Sequence, residues 1–307
     1  MARASFRSAF AGLPRATRGI LWMVMAAFFY AGAYVAARQS VKNLSVPEVA
    51  FLRSLLIAAV MLAWISRSGF ASLRTRRIGL HTLRAAFTYA AMLAWVYAVG
   101  HMRISDVTAI NFSSPLFTVL FTFLFLGEAV GPHRLAALVF GFLGVLLILR
   151  PVGVEFALPA LSALASAALF AASHGSARAL GSSENANAMV FYLFGLAALM
   201  GLGPALLAWK TPGWADMAWL GMLAATTLFA QQGLTRALIA APASLVMPFN
   251  FLQLPIVAVF GLVLFGEVSD IWTWGGAVVI FGSSYYIARR ESRNARSADA
   301  AMRESTL

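Results

Sequence analysis

The sequence predicts an all-α integral membrane protein: ten transmembrane helices as two inverted five-helix repeats, both termini cytoplasmic. Three observations carry this. Of 307 residues, 61% are hydrophobic and 11% charged, against about 25% charged in a soluble domain. The apolar residues fall into ten runs, each near the roughly 20 residues that a bilayer core requires. The second half also repeats the first at an offset of 139 residues, carrying Asn111, Phe112, Phe121, Gly127 and Glu128 onto Asn250, Phe251, Phe260, Gly266 and Glu267. An odd number of helices per repeat requires the second copy to sit upside down.

A basic tail (1–17) precedes the first repeat (18–150), which opens on an apolar run from Ile20 to Ala37 read as a retained helix. Further spans are predicted near 48–65, 78–99, 105–126 and 132–149. The second repeat (157–289) places spans near 156–177, 188–209, 215–235, 244–265 and 271–288, followed by a polar tail (290–307). Orientation follows from Lys and Arg. With both tails inside, the cytoplasmic segments hold 17 of them and the opposite side 5, the bias that fixes topology. The net charge of +12 is thus juxtamembrane rather than nucleic-acid-binding. With no cysteine, disulfides, thiolate metal sites and cysteine nucleophiles are excluded. No metal, cofactor or catalytic residue is expected.

Asn111-Phe-Ser-Ser-Pro115 and Asn250-Phe-Leu-Gln-Leu-Pro255 lie mid-way along their apolar runs. Repeated polar residues and a helix breaker at mid-depth are the best sequence pointer to a transporter's binding site. On the fourth helix, Asn111, Ser114, Thr118 and Thr122 recur at helical spacing and form one polar stripe. The ninth places Asn250 and Gln253 in the corresponding positions. Pro115 and Pro255 each remove a backbone donor and mark helix kinks, freeing the carbonyls of Asn111 and Phe251. Tyr30 and Tyr34 on the first helix share a face that continues to Arg38, and Tyr89 lies deep in the third. These rings, with Gln231 on the eighth helix and His174 as the intramembrane histidine of the sixth, complete the substrate-binding candidates. Packing and interhelical hydrogen bonding account for the same residue types. Arg53 is placed near a helix end, close enough to snorkel or to pair with Glu48, with binding of a substrate carboxylate as the alternative.

Two five-helix repeats, Gly-Glu after the fourth helix of each, and Pro47-Glu-Val-Ala-Phe-Leu-Arg53 opening the second helix resemble the drug/metabolite transporter superfamily, specifically its EamA-type branch. The second half departs from this pattern: Ala186, Asn187 and Tyr192 stand where Pro47, Glu48 and Arg53 would repeat. The resemblance implies a multi-pass protein of the bacterial inner membrane that exports amino acids, aromatic and other neutral ones, by alternating access. Its partners would be a small-molecule substrate and the lipid bilayer, with no nucleic acid. A monomer is expected. A dimer through the small-residue face Ala137, Gly141 and Gly144 is the alternative. Rival readings are a multidrug or nucleotide-sugar carrier, a non-transporting scaffold, and a membrane enzyme using the His101…Asp106 spacing.

Overall fold

The computed structural model describes residues 14–69, 73–126, 132–149, 157–181, 184–241 and 243–304. Among these residues there are twelve helical segments: α1 (Arg15–Ser40), α2 (Val46–Ser68), α3 (Ile78–His101), α4 (Ile104–Asn111), α5 (Ser114–Leu126), α6 (Pro132–Leu149), α7 (Ala157–Gly181), α8 (Ala186–Leu207), α9 (Trp214–Ala240), α10 (Ala243–Asn250), α11 (Gln253–Phe265) and α12 (Ile271–Glu304). Six stretches in them are long and apolar enough to cross a membrane: Arg15–Ser40, Val46–Arg67, Ile78–His101, Leu158–Ala177, Asn187–Leu207 and Pro248–Phe265. In lipid every backbone group must be satisfied within the chain, and helices do this segment by segment.

The predicted fourth and ninth spans are each broken rather than kinked. α4 stops at Asn111 and α5 starts at Ser114; α10 stops at Asn250 and α11 starts at Gln253. The cause is local. Pro115 and Pro255 have no N–H to give the carbonyls four residues upstream, and their rings crowd those carbonyls. The chain tightens into three-residue turns instead, with Ser113 N–H donating to the Ile110 carbonyl (2.9 Å) and Leu252 N–H to that of Phe249 (3.2 Å). Pro204, by contrast, is carried inside α8 without a break. A second difference lies at the C-terminus, where α12 runs to Glu304 instead of ending near 288. The segment after 289 is rich in Arg, Ala and Glu, all strong helix formers in water.

Packing pairs the two halves. α1 lies along α9, α3 along α7, α2 along α8, and α6 along α12. α4 meets α11, while α10 and α11 border α1 as α4 and α5 border α7. Small residues permit the close approaches. A Cβ at Gly32 would lie 3.3 Å from Thr226, and one at Gly233 only 3.0 Å from the Trp22 carbonyl. Two glycines of the small-residue face offered as the alternative dimer contact are packed from within the chain: Gly141 abuts Leu116, and Gly144 abuts the backbone of Gly276.

Both ends of the bundle carry polar links between the halves. At one end Arg38 pairs with Glu267 at 2.9 Å and also donates to the Val99 and Met102 carbonyls. The other Glu267 oxygen accepts from the N–H of Ile104 at 2.9 Å, which satisfies an orphan donor at the start of α4. Gly266 adopts φ 68° to turn the chain there, a conformation costly for any residue with a Cβ. Asn43 donates to Asp216 at 2.8 Å, and Glu48, capping α2 with Ser45, also accepts from the Lys210 N–H. At the opposite end Thr75 donates to Glu184 at 2.7 Å. His81, fully buried, holds Nε2 3.7 Å from the same carboxylate.

Candidate substrate site

α1 is the spine of the site because Tyr30, Tyr34 and Arg38, spaced four residues apart, stand on one face. Tyr30 donates its hydroxyl to Gln231 Oε1 on α9 at 3.0 Å. Tyr34, one turn on, is buried and meets Trp95 of α3 edge-on, with ring centroids 5.0 Å apart. Its hydroxyl lies among the side chains of Thr108 and Asn111. Arg38, a further turn on, closes the bundle end described above.

Gln231 leads into a cavity of about 70 Å³ between α8 and α9, lined by Asn187, Val190 and Phe194 of α8 and by Leu228, Gln231, Gln232 and Thr235 of α9. Over the Phe194 ring, 5.6 Å from its centroid, sits the guanidinium of Arg53 from α2. Arg53 neither snorkels nor pairs with Glu48, whose carboxylate serves Ser45 and Lys210. Its Nη1 faces the sulfur of Met92, and its Nε is buried without an acceptor.

The paired stretch converges differently from expectation. Phe112 and Phe251, equivalent positions in the two repeats, stack at 4.2 Å where the breaks face each other. Phe281 caps Phe251 edge-on at 4.1 Å. The amides flanking them are not equivalent. Asn111 donates to the Val107 carbonyl (2.9 Å) and accepts from Ser166 of α7 (3.1 Å), so its hydrogen-bonding capacity is largely spent on its own bundle. Asn250 keeps a buried Oδ1 with no partner. Gln253 is buried. The predicted stripe does not run along one helix, since Asn111 ends α4 while Ser114 and Thr118 belong to α5, where the Thr118 hydroxyl donates to the Ser114 carbonyl. The Thr122 side chain and Gly127-Glu128 fall outside the described residues.

Two candidates stand apart from Tyr30 and Gln231. Tyr89 packs its ring close to Gly201 of α8 and buries its hydroxyl without a partner. His174 is exposed, with Phe170 stacked 6.5 Å away. The buried histidine is His81, which contacts the Tyr192 ring at 4.8 Å. Position within an apolar run could not separate the two, because outer and inner helix faces are equally apolar. The residues that sequence reasoning missed at the site are Phe194 and Met92. Each is an ordinary core residue by type, and only its position against Arg53 singles it out.

The His101…Asp106 spacing does not form a dyad. His101 bonds the Tyr97 carbonyl at 2.8 Å. Asp106 is held by Arg103 (2.7 Å) and by the Thr273 hydroxyl.

Comparison with known proteins bears on the family and the fold. Residues 17–150 match the EamA-like transporter family. A riboflavin transporter of Brucella anthropi is 33% identical over 284 residues, covering 90% of this chain and all of the relative. An S-adenosylmethionine uptake transporter of Rickettsia prowazekii is 28% identical over 247 residues, 80% of this chain and 84% of the relative. One crystal structure superposes with a TM-score of 0.60 over 89% of this chain and 98% of its own, at 17% identity, which bears on the fold alone.

Proposed function

The chain belongs to the EamA-like transporter family and is a multi-pass protein of the bacterial inner membrane; from that premise we propose that it carries a planar heterocyclic metabolite of the flavin or nucleoside kind by alternating access. The observation that supports this best is the cavity between α8 and α9, beside Tyr30 of α1. It offers one aromatic face, Phe194, and a set of amides, Asn187, Gln231 and Gln232. Aromatic faces stack on flat rings, and amides offer both donors and acceptors to a heterocycle's polar edge. Riboflavin and S-adenosylmethionine, named for two relatives, share a flat nitrogen heterocycle. The amino acids expected from resemblance alone lack one in most cases, and they become the competing arm of the test. At about 70 Å³ the cavity is well below the 300–1,000 Å³ of typical ligand sites, so loading requires the surrounding helices to part.

In proteoliposomes, labelled riboflavin should be carried and be competed by S-adenosylmethionine more strongly than by phenylalanine or leucine. Tyr30→Phe, which removes the hydroxyl from Gln231, should lower flux at limiting substrate about 5- to 20-fold, the worth of one hydrogen bond in a dry site. Flux of amino acids alone would return the substrate to the aromatic and neutral amino-acid class.

The reading includes topology. Reciprocal packing of α1 with α9 and of α3 with α7, the stacked Phe112 and Phe251, and the 17-to-5 charge bias support ten spans in two inverted repeats with both termini cytoplasmic. The filled Gly141 and Gly144 face supports a monomer. Because the chain has no cysteine, single labels report without background. Asn43→Cys should react with an impermeant maleimide on intact cells, and Asn185→Cys only after permeabilisation. The reverse pattern would sink the inverted orientation.

A further inference from the structure

Arg53 is held inside the bundle with no anionic partner among the described residues. The ion pairs there are Arg38 with Glu267, Arg103 with Asp106, and His81 facing Glu184. Guanidinium stays charged in proteins, and an unpaired charge within the membrane is retained only where it serves a function. Arg84, the other interior arginine on a neighbouring helix, shares a buried Nε without an acceptor but donates Nη1 to the Met189 carbonyl at 3.4 Å. Arg53 has instead a thioether sulfur, which is a weak acceptor, and the face of Phe194. Its Nε has neither acceptor nor access to solvent. Phe194 is also a wall of the cavity, and Tyr30, bonded to Gln231 on the facing wall, lies within electrostatic reach of the guanidinium. Position 192, the repeat counterpart of Arg53, is a tyrosine, so the charge occurs once and breaks the symmetry of the site.

Resting on the proposed function, we infer that Arg53 is the specificity-determining residue of the carrier: its unsatisfied guanidinium donors receive a carbonyl or carboxylate oxygen of the substrate while Phe194 supports the ring. A substrate class follows. The cargo carries an electron-rich acceptor edge beside a flat ring, and purely cationic or hydrocarbon compounds are poor substrates. The pyrimidinedione edge of riboflavin meets this requirement, whereas S-adenosylmethionine offers its carboxylate at the far end of the molecule from its ring.

The test measures initial uptake of labelled riboflavin, S-adenosylmethionine and phenylalanine by full-length wild type, Arg53→Gln and Arg53→Lys in proteoliposomes, together with melting temperature in detergent. For whichever probe the wild type carries, Arg53→Gln should raise KM about 10- to 100-fold, with a smaller change in maximal rate. Arg53→Lys should recover part of the loss, since it restores charge but not the planar fork. The melting temperature of Arg53→Gln should be unchanged or higher, because a buried charge without a partner has been removed. An unchanged KM, or a fall in flux that tracks a fall in melting temperature, overturns the inference and leaves the carrier reading standing. If the wild type carries none of the three, the substrate reading falls and melting decides: a lowered value assigns Arg53 to packing, and a raised one keeps it as an unfilled binding group.

Discussion

Glu267→Ala is expected to be the most destabilising single change at the polar bundle end. Its carboxylate holds Arg38 of α1 with one oxygen and the N–H of Ile104 at the start of α4 with the other. Both contacts join elements distant in sequence, and the Arg38 and Glu267 side chains are mostly shielded, at 22% and 11% exposure. Removing one member of such a pair leaves the other charge and an N–H without partners, at a cost of about 3 kcal/mol, the lower end for a buried pair. The loss should appear as a clear drop in melting temperature in detergent. Glu267→Gln, which keeps an acceptor for Ile104, should fall between the two. Arg38→Met combined with Glu267→Leu should recover part of the loss, since apolar replacement of both partners removes the stranded charge. A melting temperature for Glu267→Ala equal to wild type would refute this account.

The second large effect is steric. Where α6 crosses α12, a Cβ at Gly276 would lie 2.5 Å from the Gly144 carbonyl oxygen and 2.5 Å from Ile148, and one at Gly144 would lie 2.8 Å from the Gly276 carbonyl. A clash with backbone cannot be relieved by a rotamer change, so the helices must separate. Gly276→Val should therefore cost at least the roughly 1–3 kcal/mol of core overpacking and disturb Val145 and Ile280, which are buried nearby in sequence. At Gly275, the adjacent residue, a Cβ would meet nothing within 4 Å. Gly275→Ala should thus be neutral or stabilising by about 0.5–1 kcal/mol through reduced chain entropy. Equal melting temperatures for the two variants would show that the crossing is not tight.

Much of this architecture was legible in the chain. Apolar runs of bilayer length and the repeated Asn-Phe and Gly-Glu positions identify the membrane bundle and its family. Pro115 and Pro255 mark where the two helices are weakened, because a missing N–H acts locally; that they break while α8 runs through Pro204 was not legible. The capping box of Ser45 and Glu48 is legible for the same reason.

Pairing across the bundle was not legible. Asn111 and Asn250 stand at matching positions of the repeat, each followed by Phe, yet Ser166 on α7 occupies one amide while the other keeps an unpartnered oxygen. The equivalent residues that meet across the breaks are the phenylalanines beside them. Glu267, expected only to end a helix, reaches across the halves to Arg38. His174 is exposed where an interior histidine was expected, His81 is buried in its stead, and Arg53 turns inward rather than snorkelling. The reason is physical. In water a buried face differs from an exposed one in polarity, so sequence period reports orientation. In a bilayer both faces are apolar, and periodicity there reaches the spans, caps and repeat but no further. Which face each polar side chain turns to, and therefore which residues form the site, follows from how helices of opposite halves pack together.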